Sequence, residues 1–339
     1  MNDPIDIKTK KIIHSKITEK FDKSLVLENL HQNIVSHYDT WGNFQQSWTN
    51  KAYKTFKDFD KYIIMMFLIR NYWQGLADKF TYLSLDEFYE LENVVIDKIN
   101  LIHISNELNI PKETIRRKVN ELQDADILVR KGKSIVFNKR GVNYQKPDNT
   151  LDFLSSFIEK KSNLLQGNDW FGASFKKEEI RKFLNKYFTI IWLRFFKLQI
   201  PFLIRHRNVF QDLETWVVWG NIALNHQDQM RKTKEKDLLA ENIRRDNYYT
   251  NMAKFKIKRG INASSIADIS TIPRATVIRK LKWLMRQDII KKSKNLEYEL
   301  KNSGKINKVI SKNTIINQEA VADFLTDIFD YMKNSNFKI

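Results

Sequence analysis

Cysteine is absent from the 339 residues, proline occurs five times and glycine nine times. Without thiols there is no disulfide framework, no thiolate zinc site and no cysteine nucleophile. With so few glycines there is no phosphate-cradling loop, dinucleotide fingerprint or nucleophile elbow. The six histidines (His14, His31, His37, His103, His206 and His226) include no pair at the i, i+4 spacing of a helical metal site. No enzyme signature remains, and neither a cofactor nor a metal is expected. Long apolar runs are also missing. The run from Tyr62 to Ile69 is too short to span a bilayer, and the stretch from Tyr187 to Ile204 is interrupted by Arg194, Lys197 and Pro201. The opening residues, MNDPIDIKTKK, lack the apolar segment of a signal peptide. The chain reads as a soluble cytoplasmic protein with no membrane partner.

What is abundant is positive charge. Lys and Arg number 58 against 40 Asp and Glu, a net charge of +18. Such a surplus suits a polyanion, nucleic acid before an anionic membrane. It is concentrated in the second half. Residues 1–165 carry 25 basic and 22 acidic groups, and residues 166–339 carry 33 and 18. At 42% hydrophobic and 29% charged, the composition is that of a globular chain long enough for two domains.

The chain repeats itself. A shift of 162 residues aligns Ile99–Arg130 with Ile261–Lys292 without a gap, and 11 of 32 positions are identical, against about two by chance. Each copy reads as helix, tight turn, helix and hairpin. In copy 1, Ile104 and Leu108 mark one face of a short helix that Asn109-Ile110-Pro111 breaks, and proline is tolerated in the first turn of the next helix, where its missing N–H costs nothing. That second helix runs to about Asp124 and buries Ile115, Val119 and Leu122. A strand starts at Ile127, turns through Arg130–Ser134 and returns over Ile135–Phe137. In copy 2, Ile272-Pro273 breaks, Val277, Leu281 and Leu284 face the core, Ile289 starts a strand, and Leu296–Leu300 returns.

This order is the pattern of a winged helix-turn-helix. Upstream, Ser84 and Glu87 form a capping box, and the apolar positions Phe88, Leu91, Val94 and Val95 predict a helix leading into the motif. The whole resembles the multiple-antibiotic-resistance (MarR) type of bacterial transcription regulator. That family has a Leu-Ser/Thr-x-x-Glu/Gln-Phe lead-in, a Thr-Val-x-Arg recognition helix and a wing ending near Leu-x-x-x-Gly. Here stand Leu83-Ser84-Leu85-Asp86-Glu87-Phe88, Thr114-Ile115-Arg116-Arg117 with Thr276-Val277-Ile278-Arg279, and wing ends Phe137–Gly141 and Leu300–Gly304. The family's Asp-x-Arg wing motif occurs in neither copy.

The fold expected is mainly α: two winged helix-turn-helix units with flanking helices and short β-hairpin wings. Unit 1 spans 1–165 with its motif at about 84–141, and unit 2 spans 166–339 with its motif at about 240–304. The boundary falls at Gln166-Gly167-Asn168-Asp169. Long helices are expected over 21–38, 52–74, 176–199 and 202–230, with closing helices over 151–161 and 318–332. In the family such flanking helices form a two-fold dimer. The resemblance therefore implies either a monomer acting as a pseudo-dimer or a homodimer.

Double-stranded DNA is the expected partner. With the core side of helix 112–124 set by Ile115, Val119 and Leu122, residues Glu113, Arg117 and Asn120 point outward, flanked by Thr114 and Arg116. Arg grips guanine and Asn adenine with paired bonds. The equivalents in copy 2 are Ala275, Arg279 and Lys282, flanked by Thr276 and Ile278. Arg117 and Arg279 are the leading base readers, the alternatives being phosphate contacts or ion pairs with neighbouring acids such as Glu113. Lys112, Lys118, Arg274 and Lys280 lie nearer the helix sides and are expected on phosphates. Wing residues Lys131, Lys133, Lys292 and Lys294 are expected on phosphates or the minor groove. The aromatics Trp192, Phe195, Phe196, Phe202, Trp216 and Trp219 fit a packed seam between units, or a pocket for a small apolar effector. The function expected is a sequence-specific DNA-binding transcription regulator. The alternatives are a replication initiator or architectural DNA-binding protein, or a winged-helix protein-interaction scaffold.

Overall fold

The computed structural model describes residues 20–96, 100–132, 134–138, 146–165, 175–232, 248–302 and 305–334. Among these the chain is mainly helical, with fourteen helices and two small antiparallel sheets. Two compact units form, and they do not follow the sequence halves. Among the described residues the first takes 20–22, 63–200 and 324–334, and the second takes 23–62 and 201–323. Helices α1 (Lys23–Gln32) and α2 (Ile34–Phe56), expected to flank the first motif, thus belong to the second unit. The boundary expected at 166–169 lies outside the described residues.

The expected long helices are interrupted where single residues turn the backbone. The one over 21–38 breaks at Asn33. The one over 52–74 breaks at Lys57, which is left-handed with φ 53°, and α3 (Phe59–Asp78) follows. The one over 202–230 breaks at Gln211, φ 68°, before Asp212 caps the next helix. Conversely, Pro201 lies inside one unbroken helix, α9 (Phe188–Phe210).

The first unit contains α4 (Leu85–Glu90), β1 (Asn93–Ile96), α5 (Leu101–Leu108), α6 (Lys112–Asp124), β2 (Leu128–Lys131), β3 (Ser134–Asn138), α7 (Asp148–Leu164) and α8 (Lys177–Lys186), with parts of α3 and α9. The capping box forms as read: Ser84 Oγ accepts from Glu87 N, and Glu87 accepts from Ser84 N at 2.8 Å. The helix it starts is shorter than expected and ends at Glu90. The β-branched run Val94-Val95-Ile96 instead extends as β1 and pairs antiparallel with β3, giving strand order β1-β3-β2. Trp73, Phe88 and Phe188 meet edge-on or tilted at 5.6–6.1 Å, and Trp73 and Phe196 at 5.0 Å. Thr189 and Leu83 exchange two hydrogen bonds that tie α9 to the segment before α4.

The second unit contains α1, α2, α10 (Leu213–Arg231), α11 (Tyr248–Lys254), α12 (Ala263–Ser270), α13 (Arg274–Arg286), β4 (Ile290–Lys292), β5 (Tyr298–Leu300) and most of α14 (Lys305–Asn334), with the last residues of α9. Helix α10 is its spine. It packs on α2 on one side, and on α12, α13 and β5 elsewhere. Gly220 lets α2 approach, because a Cβ there would lie 1.8 Å from Gln46 Nε2. The closing helix expected over 318–332 is the latter part of α14.

No single helix among the described residues is long and apolar enough to cross a membrane. Helices α8 and α9 reach that composition only together, across a 98° bend.

Candidate nucleic-acid interface

The two repeats have one backbone. Asn100 caps α5 by accepting from the amides of Ile102 and His103, and Asn262 caps α12 by accepting from Ser265. Both helices end left-handed, at Asn109 (φ 51°) and Thr271 (φ 59°). Pro111 and Pro273 then set the next helix with φ −52° in both and ψ 136° and 133°. Past those helices, Asp126 (φ 54°) and Asp288 (φ 59°) turn left-handed, a conformation that aspartate tolerates. Ile127 N bonds Leu122 O, and Ile289 N bonds Leu284 O.

These contacts account for most of the identical pairs. Ile104/Ile266, Ile110/Ile272 and Leu122/Leu284 are core. The asparagines cap, the prolines start helices and the aspartates turn. Ile99 lies outside the described residues. Two pairs have no part in core, cap or turn: Thr114/Thr276, half-buried, and Arg117/Arg279, exposed.

One further identity corrects the expected phosphate contacts. Lys118 is only 7% exposed and its Nζ meets Glu121 at 3.1 Å. Lys280 is half-buried and ion-paired with Asp212, the residue that caps α10 through Thr215 N. Both lysines therefore point inward, because positions 118 and 280 lie three residues after the buried Ile115 and Val277 and four before the buried Leu122 and Leu284, on the core side of the helix.

The outward faces differ. On α6, Arg116 pairs with Glu113 at 2.6 Å, and Arg117 pairs with Glu121 at 2.7 Å. Lys112, Glu113, Arg116, Arg117 and Asn120 are exposed. On α13, Arg279, Lys282 and Arg286 are exposed at i, i+3 and i+7, one face of the helix, and no carboxylate among the described residues pairs with them. With Met285 they line an open surface depression. Arg274 donates to Ser264 Oγ at 3.1 Å. Arg286 was outside the sequence-based site, although its seven-residue spacing from Arg279 marks the same face.

The hairpins follow directly. In the first, Lys131 is exposed at the end of β2 beside Gly132, which is left-handed at φ 62°. Lys133 lies outside the described residues. In the second, β4 starts at Ile290 and β5 at Tyr298, so the connecting turn is longer than expected and Leu296 is exposed within it. Lys292 lies 5.8 Å over the Tyr298 ring, Lys294 is exposed in the turn, and Lys291 pairs with Glu299.

A basic segment that sequence reasoning passed over abuts this hairpin. Lys254, Lys256 and Lys258 alternate with Phe255 and Ile257 and are exposed. Gln229 accepts from the amides of Lys258 and Arg259, and Glu297 accepts from Arg259 Nε and Gly260 N. Ile261 and Tyr298 exchange two backbone bonds. Gly260 is required there, since a Cβ would lie 2.7 Å from the Tyr298 carbonyl oxygen.

The aromatics divide by unit. Trp192, Phe195 and Phe196 are buried in the first; Phe202, Trp216 and Trp219 line a cavity in the second. Among the described residues no group of three or more His, Asp or Glu is placed to hold a metal ion. Comparison of the chain with protein-family models, with curated proteins and with solved structures gives no match.

Proposed function

We propose that this chain is a double-stranded DNA-binding transcription regulator that reads two unlike half-sites through two winged helix-turn-helix motifs, α5–α6 with β1–β3 and α12–α13 with β4–β5. The observation that carries the reading is the unpaired cationic face of α13, Arg279, Lys282 and Arg286, followed by a hairpin bearing Lys292 and Lys294. A helix after a tight turn, with free guanidinium groups on its outer face, has what base edges and phosphates require. In this reading Arg279 contacts bases, Lys282 and Arg286 flank it, and the hairpin lysines hold the backbone. Lys118 and Lys280 are withdrawn from the interface. The first motif contributes Arg117 and Asn120 and less affinity. Because Glu113, Arg116 and Asn120 stand where copy 2 has Ala275, Ile278 and Lys282, the half-sites differ and one chain suffices.

Fluorescence anisotropy of the full chain on duplex DNA tests this. Log affinity should fall with log salt at a slope of about −0.9 per phosphate contacted. Light scattering of the complex should give one chain per site. A flat salt dependence would overturn DNA binding; two chains on a symmetric site would overturn only the single-chain arrangement.

A further inference from the structure

Within the second unit, α2, α9, α10, α11 and α14 line a partly open cavity of about 110 Å³. That is the scale of one small ring, since an apolar cavity of about 150 Å³ takes up benzene. Trp41 and Trp216 are among its lining residues. Unlike an apolar hole, the cavity also has polar groups left open. Gln45 is 2% exposed, and among the described residues neither its Nε2 nor its Oε1 has a hydrogen-bond partner. Gln227 Nε2 and Tyr248 Oη, both of buried residues in the same lining, also lack one among the described residues. Buried polar groups are normally paired, because an open one forfeits its bonds to water.

Among the described residues the lining carries no Asp, Glu, Lys or Arg. His206, the histidine of the lining, is held neutral because burial lowers it to about 4. A charged ligand would find no counter-charge. Gln45, with donor and acceptor open on one amide, matches a partner that presents acceptor and donor side by side. Glutamine meets adenine with the same paired geometry.

We propose that this cavity binds a small, neutral, planar heterocycle with adjacent N–H and C=O groups, a cyclic amide, stacked between the tryptophans and paired with Gln45. Gln227 and Tyr248 satisfy its remaining lone pairs. The site stands independently of the DNA reading, and its test needs no nucleic acid.

Isothermal titration of the full chain with 2-pyridone tests the assignment. Saturable binding at one per chain is expected, with benzene and N-methyl-2-pyridone at least tenfold weaker. Gln45→Leu should weaken 2-pyridone at least tenfold and strengthen benzene. Absence of saturable 2-pyridone binding, or benzene binding as tightly as 2-pyridone, would show a hydrated or merely apolar hole and overturn the proposal. So would a folded Gln45→Leu chain with unchanged 2-pyridone affinity. If that variant does not fold, the three-compound comparison on the unaltered chain still decides.

Discussion

Helices α6 and α13 begin on prolines with nearly the same backbone angles and end before left-handed aspartates, yet they dispose of charge differently. Helix α6 carries four basic and three acidic residues, and Arg116 and Arg117 are each held by a glutamate on the same helix. Helix α13 carries five basic residues and no acidic one. To reach a phosphate, the arginines of α6 must first give up an intrahelical pair, whereas Arg279 and Arg286 of α13 need only shed water. Exposed i, i+4 pairs are worth only about 0.3–0.5 kcal/mol. The larger effect on any bound polyanion is repulsion by the glutamates that stay behind. The repeat thus preserves a scaffold while the electrostatics of its outer face diverge.

The largest test of this contrast is to erase α13's face. Changing Arg279, Lys282 and Arg286 together to Ala should flatten the salt slope by about 1.8 if Lys282 and Arg286 each meet one phosphate while Arg279 reads a base, and lower affinity at least a hundredfold. Changing Arg116, Arg117 and Asn120 to Ala should cost less than tenfold in the same anisotropy titration. Equal losses would break the comparison.

The converse experiment sharpens it. Glu113→Ala with Asp124→Arg gives α6 the residue types of α13 at those positions, and should raise affinity about tenfold and steepen the salt slope by about one.

Lys280→Met should separate interface from scaffold. It leaves Asp212 without its cation and should cost on the order of 1–3 kcal/mol in chemical denaturation, less than the ~3–5 kcal/mol for a fully buried pair. DNA affinity of the folded variant should change little.

The two units should also respond oppositely to pH. In the first, burial holds Lys161 down to about 8, with Lys160 adding repulsion, and its Nζ has no hydrogen-bond partner among the described residues. Between about 8 and its ordinary 10.5 the unfolded chain binds more protons, so stability rises with pH. Lys161→Met should therefore stabilise the chain at pH 7, by about 1–3 kcal/mol. In the second unit, burial and neighbouring Asp212 raise Glu214 to about 7 from 4.5. Between those values the folded chain binds more protons, so stability falls as pH rises. Glu214→Gln should stabilise by about 1–3 kcal/mol at pH 8 and have little effect at pH 4. Urea titrations across pH would check both signs.

Much of the motif was legible because its determinants are local. Asn100, Pro111, the Ile115–Val119–Leu122 stripe and the Ser84–Glu87 box act within a few residues of themselves. Strand β1 was not, since Val94-Val95-Ile96 reads equally as helix until β3 arrives from forty residues away to pair with it. Lys118 and Lys280 were misjudged because they lie on the helix flank, where outward and inward are decided by partners such as Asp212. The open amide of Gln45 left no trace in the sequence, because it depends on helices brought together from five places.

The discontinuous second unit also constrains the order in which the protein takes shape as it is synthesised. Helix α2 packs on α10, whose first residue is translated more than 150 residues after α2 ends. At 5–20 residues per second, roughly 10–30 s pass before that partner exists. During this interval Trp41 and Phe44, buried in the finished protein, have no α10 to cover them. Such distant contacts slow folding and leave apolar surface open to association. The wait makes α2 the segment on which a nascent-chain chaperone has the longest time to act.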